Sequence, residues 1–82
     1  MTAIEGTVKS YILDEFLPGS SPNDVNESTP LISGGILDSL ATVKLVAFLE
    51  EQYNVTIEPH EASVDYLDTI TQIADLVRSK RA

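Results

Sequence analysis

The run from Leu40 to Leu49 limits what this chain can fold into more tightly than any other segment. Leu40, Ala41, Val43, Leu45, Val46, Ala47, Phe48 and Leu49 leave almost no polar side, and Glu50, Glu51 and Gln52 follow. Asp38 stands in front as a helix N-cap, so the spacing predicts a helix from about Ser39 to Tyr53. A helix apolar nearly all round is packed from several directions or partly exposed for a partner. The remaining chain must therefore wrap around it.

What remains reads as further helices. Ile4, Val8, Tyr11, Ile12 and Phe16 recur at helical spacing behind a Thr2–Glu5 capping pattern, and Pro18-Gly19 ends that helix. Gly19 to Ser33 turns to Ser, Asn, Pro, Asp and Thr, a long loop of the kind that is usually functional or disordered. Leu31 and Ile32, then Ile36 and Leu37, are expected to pin its end to the core, with Gly34-Gly35 allowing a tight turn between them. Val55-Thr56-Ile57 could pass for a strand, but no second β run is available to pair with it. Pro59 to Asp68 holds a short helical turn around Val64, Tyr66 and Leu67. Thr69 and Gln72 then cap a last helix with Ile70, Ile73, Ala74 and Val77 on one face. Arg78, Lys80 and Arg81 sit where its dipole favours cations. The expected fold is all-α, a small four-helix bundle of three longer helices and one short one, with a long first loop.

Size and charge narrow the function. Residues 1–82 read as a single domain. A chain this short encloses no deep pocket of its own, which weighs against a self-contained enzyme. Thirteen acidic against five basic residues give a net charge of −8, unsuited to nucleic acid or anionic lipid and suited to basic protein partners. There is no cysteine, hence no disulfide, thiolate nucleophile or zinc-finger spacing. No signal peptide is evident and no apolar run approaches membrane-spanning length, so a cytoplasmic monomer is expected.

The informative stretch is Ile36-Leu37-Asp38-Ser39-Leu40. It places a hydroxyl in the first turn of the central helix, after a glycine turn. Backbone N–H groups there lack intrahelical partners, and the helix dipole favours an anion. The plain role of Asp38 is a cap worth about 1 kcal/mol, which does not conflict with recognition by a partner.

Gly35 to Val46, continuing through Leu49-Glu50-Glu51-Gln52-Tyr53, Ile57 and Thr69-Ile70, resembles the acyl carrier and peptidyl carrier proteins. The likeness runs from about Leu31 to Val77. It implies that Ser39 is esterified with 4′-phosphopantetheine, taken from coenzyme A by a phosphopantetheinyl transferase. The arm's thiol would carry an acyl or aminoacyl group, delivered by a loading ligase and passed to downstream transferases or synthases. Asp38 would help the transferase recognise the site and position its metal. Leu40, Ala41, Lys44 and Leu45 would form the partner-docking face. Val43, Val46, Ala47 and Leu67 are the candidate lining of an acyl groove. No catalytic residue and no resident metal are expected.

Carriers of fatty-acid synthesis typically have acidic residues where this chain has Ala41 and Lys44. The segment looks closer to stand-alone carriers served by adenylating ligases, in aminoacyl transfer, polyketide or other secondary metabolism. The competing reading from another class is an acidic helical adaptor with no prosthetic group.

Other patterns carry less. Ser39, His60 and an Asp lack the Gly-x-Ser-x-Gly elbow of a hydrolase. Glu58, Glu61, Asp65 and Asp68 lack EF-hand spacing and read as a solvated face. Gly34-Gly35 has no following Lys-Ser or Lys-Thr and is no phosphate loop. Tyr11, Tyr53 and Tyr66 read as core edges with their hydroxyls in water.

Overall fold

The computed structural model describes residues 3–19, 21 and 24–81. Among these residues four α-helices follow one another: α1 (Ala3–Phe16), α2 (Ser39–Tyr53), α3 (Val64–Leu67) and α4 (Ile70–Arg81), with a 3₁₀ turn at Pro59–Glu61 before α3. No strand occurs among the described residues. The all-α bundle expected from periodicity is the observed fold, with three longer helices and one short one.

The helical stripes meet in one core. Val8 and Ile12 of α1, Leu45 and Leu49 of α2, Leu67 of α3 and Ile70, Ile73 and Val77 of α4 are all fully buried. At roughly 1.5–3 kcal/mol for each buried aliphatic side chain, these contacts are the main favourable contribution to the fold. Tyr11 adds an aromatic stack on Phe48, with ring centroids 3.9 Å apart, and an edge contact to Phe16. Its hydroxyl donates to the Lys44 carbonyl at 3.2 Å, so it ties α1 to α2 and does not simply end in water. Burial, with the nearby Glu15 charge second, pushes the Tyr11 phenol up from its ordinary value.

The long first connection is fastened at several depths. Leu31 and Leu37 are buried and Ile32 and Ile36 half-buried, as their spacing around the glycine turn predicts. Val25 is fully buried as well, a pin the sequence reading missed because it stands alone in a polar stretch. Thr71 of α4 donates both its N–H and its hydroxyl to the Glu27 carbonyl.

The helix ends follow their capping chemistry. Thr69 Oγ1 accepts the Gln72 N–H while Gln72 Oε1 accepts the N–H groups of Asp68 and Thr69, which is the expected box at the start of α4. Thr2, the expected cap of α1, lies outside the described residues. Glu5, its predicted partner, is buried and pairs with Arg78 of α4. Asn54 ends α2 in the left-handed conformation at φ 54°. Glu50 is half-buried, and its carboxylate accepts the Ile57 N–H at 2.9 Å. That bond explains how the Val55–Ile57 connector satisfies part of its backbone without joining a sheet.

Candidate functional site

Asp38 starts the site. Its backbone is extended, and its Oδ1 accepts the Ala41 N–H at 2.8 Å. Its carbonyl accepts both the N–H and the hydroxyl of Thr42. One carboxylate oxygen is therefore used in the cap, while the other has no hydrogen bond among the described residues, and the side chain is exposed.

Ser39 is the first residue of α2 and is exposed. Its hydroxyl makes no hydrogen bond among the described residues, so nothing holds it away from an incoming group. The N–H groups of Ser39 and Leu40 have no intrahelical acceptor, because they precede the first repeat of the helix. A phosphodiester at this point would meet those donors and the positive end of the α2 dipole.

Two depressions flank this first turn. The larger, of about 640 Å³, runs past Ser39 between Ile32 and Leu37 on one wall and Ala62, Ser63 and Val64 on the other. Thr42 and Val43 of α2 also line it. A smaller one, about 290 Å³, lies between the end of α1 and the start of α2, lined by Glu15, Phe16, Ile36, Leu40, Ala41 and Lys44. Asp38 borders both, so the start of α2 forms a ridge between them.

The residues proposed from sequence divide on this geometry. Leu40 and Val43 are large apolar side chains left 65% and 64% exposed, and Lys44 is exposed beside them. Ala41 and Leu45, expected at the docking face, are buried. They lie four apart on the inward side of α2, where Leu45 is fully covered while Ala41 still lines the smaller depression with Leu40 and Lys44. Of the four groove candidates, Val43 lines the groove. Val46 is half-buried against the core, Ala47 is exposed, Leu67 is fully buried, and none of these three borders the groove. The groove opens beside the first turns of α2, whereas Val46 and Ala47 lie a turn further along. The helical period links Ser39, Thr42 and Val43 on one side, a signal available in the sequence. The opposing wall depends on how the segment before α3 folds back, which no local pattern encodes.

Asp68 is the residue sequence reasoning missed. Its Oδ1 accepts the N–H groups of Ile32 at 2.9 Å and Ser33 at 2.8 Å, and its Oδ2 accepts the Ser33 hydroxyl at 2.8 Å. Its carbonyl accepts the Leu31 N–H at 2.6 Å. The Ser33 backbone bond is the largest of several hydrogen bonds that pull the Asp68 carboxyl below its ordinary value, against an opposing effect of burial. Glu61 is also engaged. The bond from Lys80, with one from the Glu58 N–H second, lowers its carboxyl. Two members of the expected solvated acidic face are thus structural ligands of the backbone and of a lysine. Among the described residues no cluster of three or more His, Cys, Asp or Glu side chains could hold a metal ion.

Tyr66 and His60 meet edge to face at the surface, with Tyr66 39% exposed, so Tyr66 is less of a core edge than its spacing suggests. No helix among the described residues is long and apolar enough to cross a membrane.

Comparison with known proteins agrees with this geometry. Residues 17–77 match the family model described as "Phosphopantetheine attachment site". The chain is 30% identical over 79 residues to the acyl carrier protein of Chlamydia muridarum, covering 96% of this chain and 97% of that protein. A chain in a solved structure described as "Crystal structure of FAD-dependent dehydrogenase" is 34% identical, with a TM-score of 0.76, over 85% of this chain and 97% of that one. The exposed hydroxyl, the free N–H groups beside it and the adjoining groove fit the group this family bears. The chain belongs to the phosphopantetheine-attachment family of carrier proteins, which are not enzymes and bear 4′-phosphopantetheine covalently.

Proposed function

We propose that Ser39 is the attachment point of the arm and that residues 1–82 act as a single, monomeric, cytoplasmic carrier domain of a specialised biosynthetic pathway. The observation that carries the assignment is the exposed Ser39 hydroxyl at the start of α2, beside the groove and without a hydrogen bond among the described residues. Once bound, phosphopantetheine supplies a terminal thiol that holds acyl or aminoacyl cargo as a thioester, a thiol this chain cannot supply itself.

The chain's own residues then divide the work. Asp38 holds the first turn of α2 in shape and offers its second carboxylate oxygen to the transferase. Leu40 and Val43 present an apolar contact for partner enzymes, and Lys44 sets its charge. The groove walls at Leu37, Val43 and Val64 shelter the arm or the start of an apolar cargo. Tethering keeps the cargo at high effective concentration for successive enzymes.

The specialised pathway rests on Ala41 and Lys44. A partner that docks on fatty-acid-synthesis carriers through a basic patch would meet a cation here at Lys44. The likeness to a carrier-sized chain in a structure described by an FAD-dependent dehydrogenase supports a flavin dehydrogenase as one downstream partner. Loading would come from a separate adenylating ligase.

Incubation with coenzyme A and a broad-specificity phosphopantetheinyl transferase, read by intact mass, tests the assignment. The wild type gains one phosphopantetheine and Ser39→Ala gains none. An unmodified wild type, in conditions that load a control carrier, returns the chain to the adaptor reading. The pathway is tested by Lys44→Glu, which raises acceptance of the loaded chain by fatty-acid-synthesis enzymes. Equal acceptance of wild type and variant would remove the argument for specialisation.

A further inference from the structure

Asp68 joins the two walls of the groove, and its bonds lead back to the attachment residue. It follows directly on α3, whose first residue Val64 forms one wall with Ala62 and Ser63. Its carboxylate holds Ile32 and Ser33, and Ile32 belongs to the opposite wall. Its carbonyl takes the Leu31 N–H, and the Leu31 carbonyl in turn takes the Leu37 N–H at 2.9 Å. Leu37 is 2% exposed, a buried plug only two residues before Ser39. Main-chain bonds thus run from Asp68 through Leu31 to Leu37, just before α2, and the carboxylate bonds fix Ile32 and Ser33 beside that path.

We infer that Asp68 is a positioning residue for Ser39: it latches the segment 31–37 to the end of α3 and so holds the hydroxyl in the presentation that the transferase accepts. This rests on Ser39 being the attachment point. Without the latch, residues 31–33 keep the buried Leu31 anchor but lose the three hydrogen bonds to the Asp68 carboxylate that fix their direction. The segment then exchanges between a docked and an undocked state. A partner that binds only the docked state sees its apparent affinity fall by the docked fraction, while turnover after binding is unchanged. The expected signature is a higher KM for the carrier with kcat preserved.

Four chains separate the outcomes: wild type, Asp68→Ala, Asp68→Asn and Ser39→Ala. The asparagine keeps an oxygen for the Ile32 and Ser33 N–H groups and loses only the second carboxylate oxygen, which accepts the Ser33 hydroxyl. Asp68→Ala should raise the KM of arm transfer roughly threefold to tenfold at unchanged kcat, with Asp68→Asn recovering most of the loss. Amide hydrogen exchange, followed without any transferase, should quicken at Ile32, Ser33 and Leu37 in Asp68→Ala while the core of α4 stays protected. If Asp68→Ala does not fold, Ser33→Ala removes the hydroxyl bond alone and should give a smaller KM rise. Unchanged exchange at residues 32 and 33, or faster exchange with unchanged KM, overturns the latch. A fall in kcat alone overturns it too. A modified Ser39→Ala, or an unmodified wild type, overturns the Ser39 assignment instead, and the exchange measurement still judges the latch.

Discussion

A Cβ added at Gly34 would lie 2.3 Å from the Pro30 carbonyl oxygen, a distance no side chain tolerates. The loop must shift to admit one, so Gly34→Ala is expected to cost about 1–3 kcal/mol in urea unfolding. Gly35, at φ 84° with open space around it, pays only for the backbone conformation, and Gly35→Ala should cost about 1 kcal/mol. The Gly34-Gly35 turn was legible in the sequence because glycine pairs mark such places. Asp68 was not, since its partner Ser33 lies 35 positions away and no local spacing encodes that contact. Its carboxyl, with an ordinary value of 3.8, is lowered in the folded chain. It therefore stabilises the fold fully above about pH 3.8, less as pH falls below that, and not at all once the lower folded value is passed. An NMR titration should place the Asp68 midpoint below 3.8, and Asp68→Asn should reduce the loss of stability in that acid range.

Helix α2 shows what periodicity predicts and where it stops. Its bounds at Ser39 and Tyr53 follow from Asp38 and from the polar residues after Leu49. Its apolar residues run so nearly all round that spacing alone does not separate the buried side from the exposed one: Leu45 is fully buried and Ala41 nearly so, while Leu40 and Val43 stand exposed. A pair of truncations tests this difference in burial. Leu45→Ala empties a fully buried site and should cost about 2–5 kcal/mol. Leu40→Ala removes an exposed side chain and should change stability by about 0.5 kcal/mol or less, while reducing turnover by enzymes that dock on α2. Denaturant curves and arm-transfer rates on both variants check the division. The basic end of α4 does more than complement a dipole. Arg78 reaches Glu5 of α1 and Asp75, Lys80 pairs with Glu61, and Arg81 lies over the Tyr53 ring at the end of α2. Arg78→Ala deprives the buried Glu5 of that guanidinium and should cost about 1–2 kcal/mol by the same unfolding measurement.

As a whole the molecule measures 32 × 25 × 20 Å, too small to enclose a substrate and large enough to hold one helix start in fixed relation to a groove. Composition and helical spacing made the architecture readable, because each helix carries its own stripe and caps. The far wall of the groove was hidden, because it depends on the 3₁₀ turn and α3 folding back over the start of α2. The net charge of −8 suits encounters with basic surfaces, while the ridge carrying Ser39 is bordered by Leu40, Val43 and Lys44. Ser33 and Ser63 stand close to the same groove and offer hydroxyls of their own, so the arm has to be mapped to one serine. Fragment-ion mass mapping of the chain after reaction with coenzyme A and the transferase gives the arm's position directly. A single phosphopantetheine is expected on the fragment ions that contain Ser39, and none on those that contain Ser33 or Ser63 without it. The added group found on Ser33 or Ser63, with Ser39 unmodified, would contradict the Ser39 assignment.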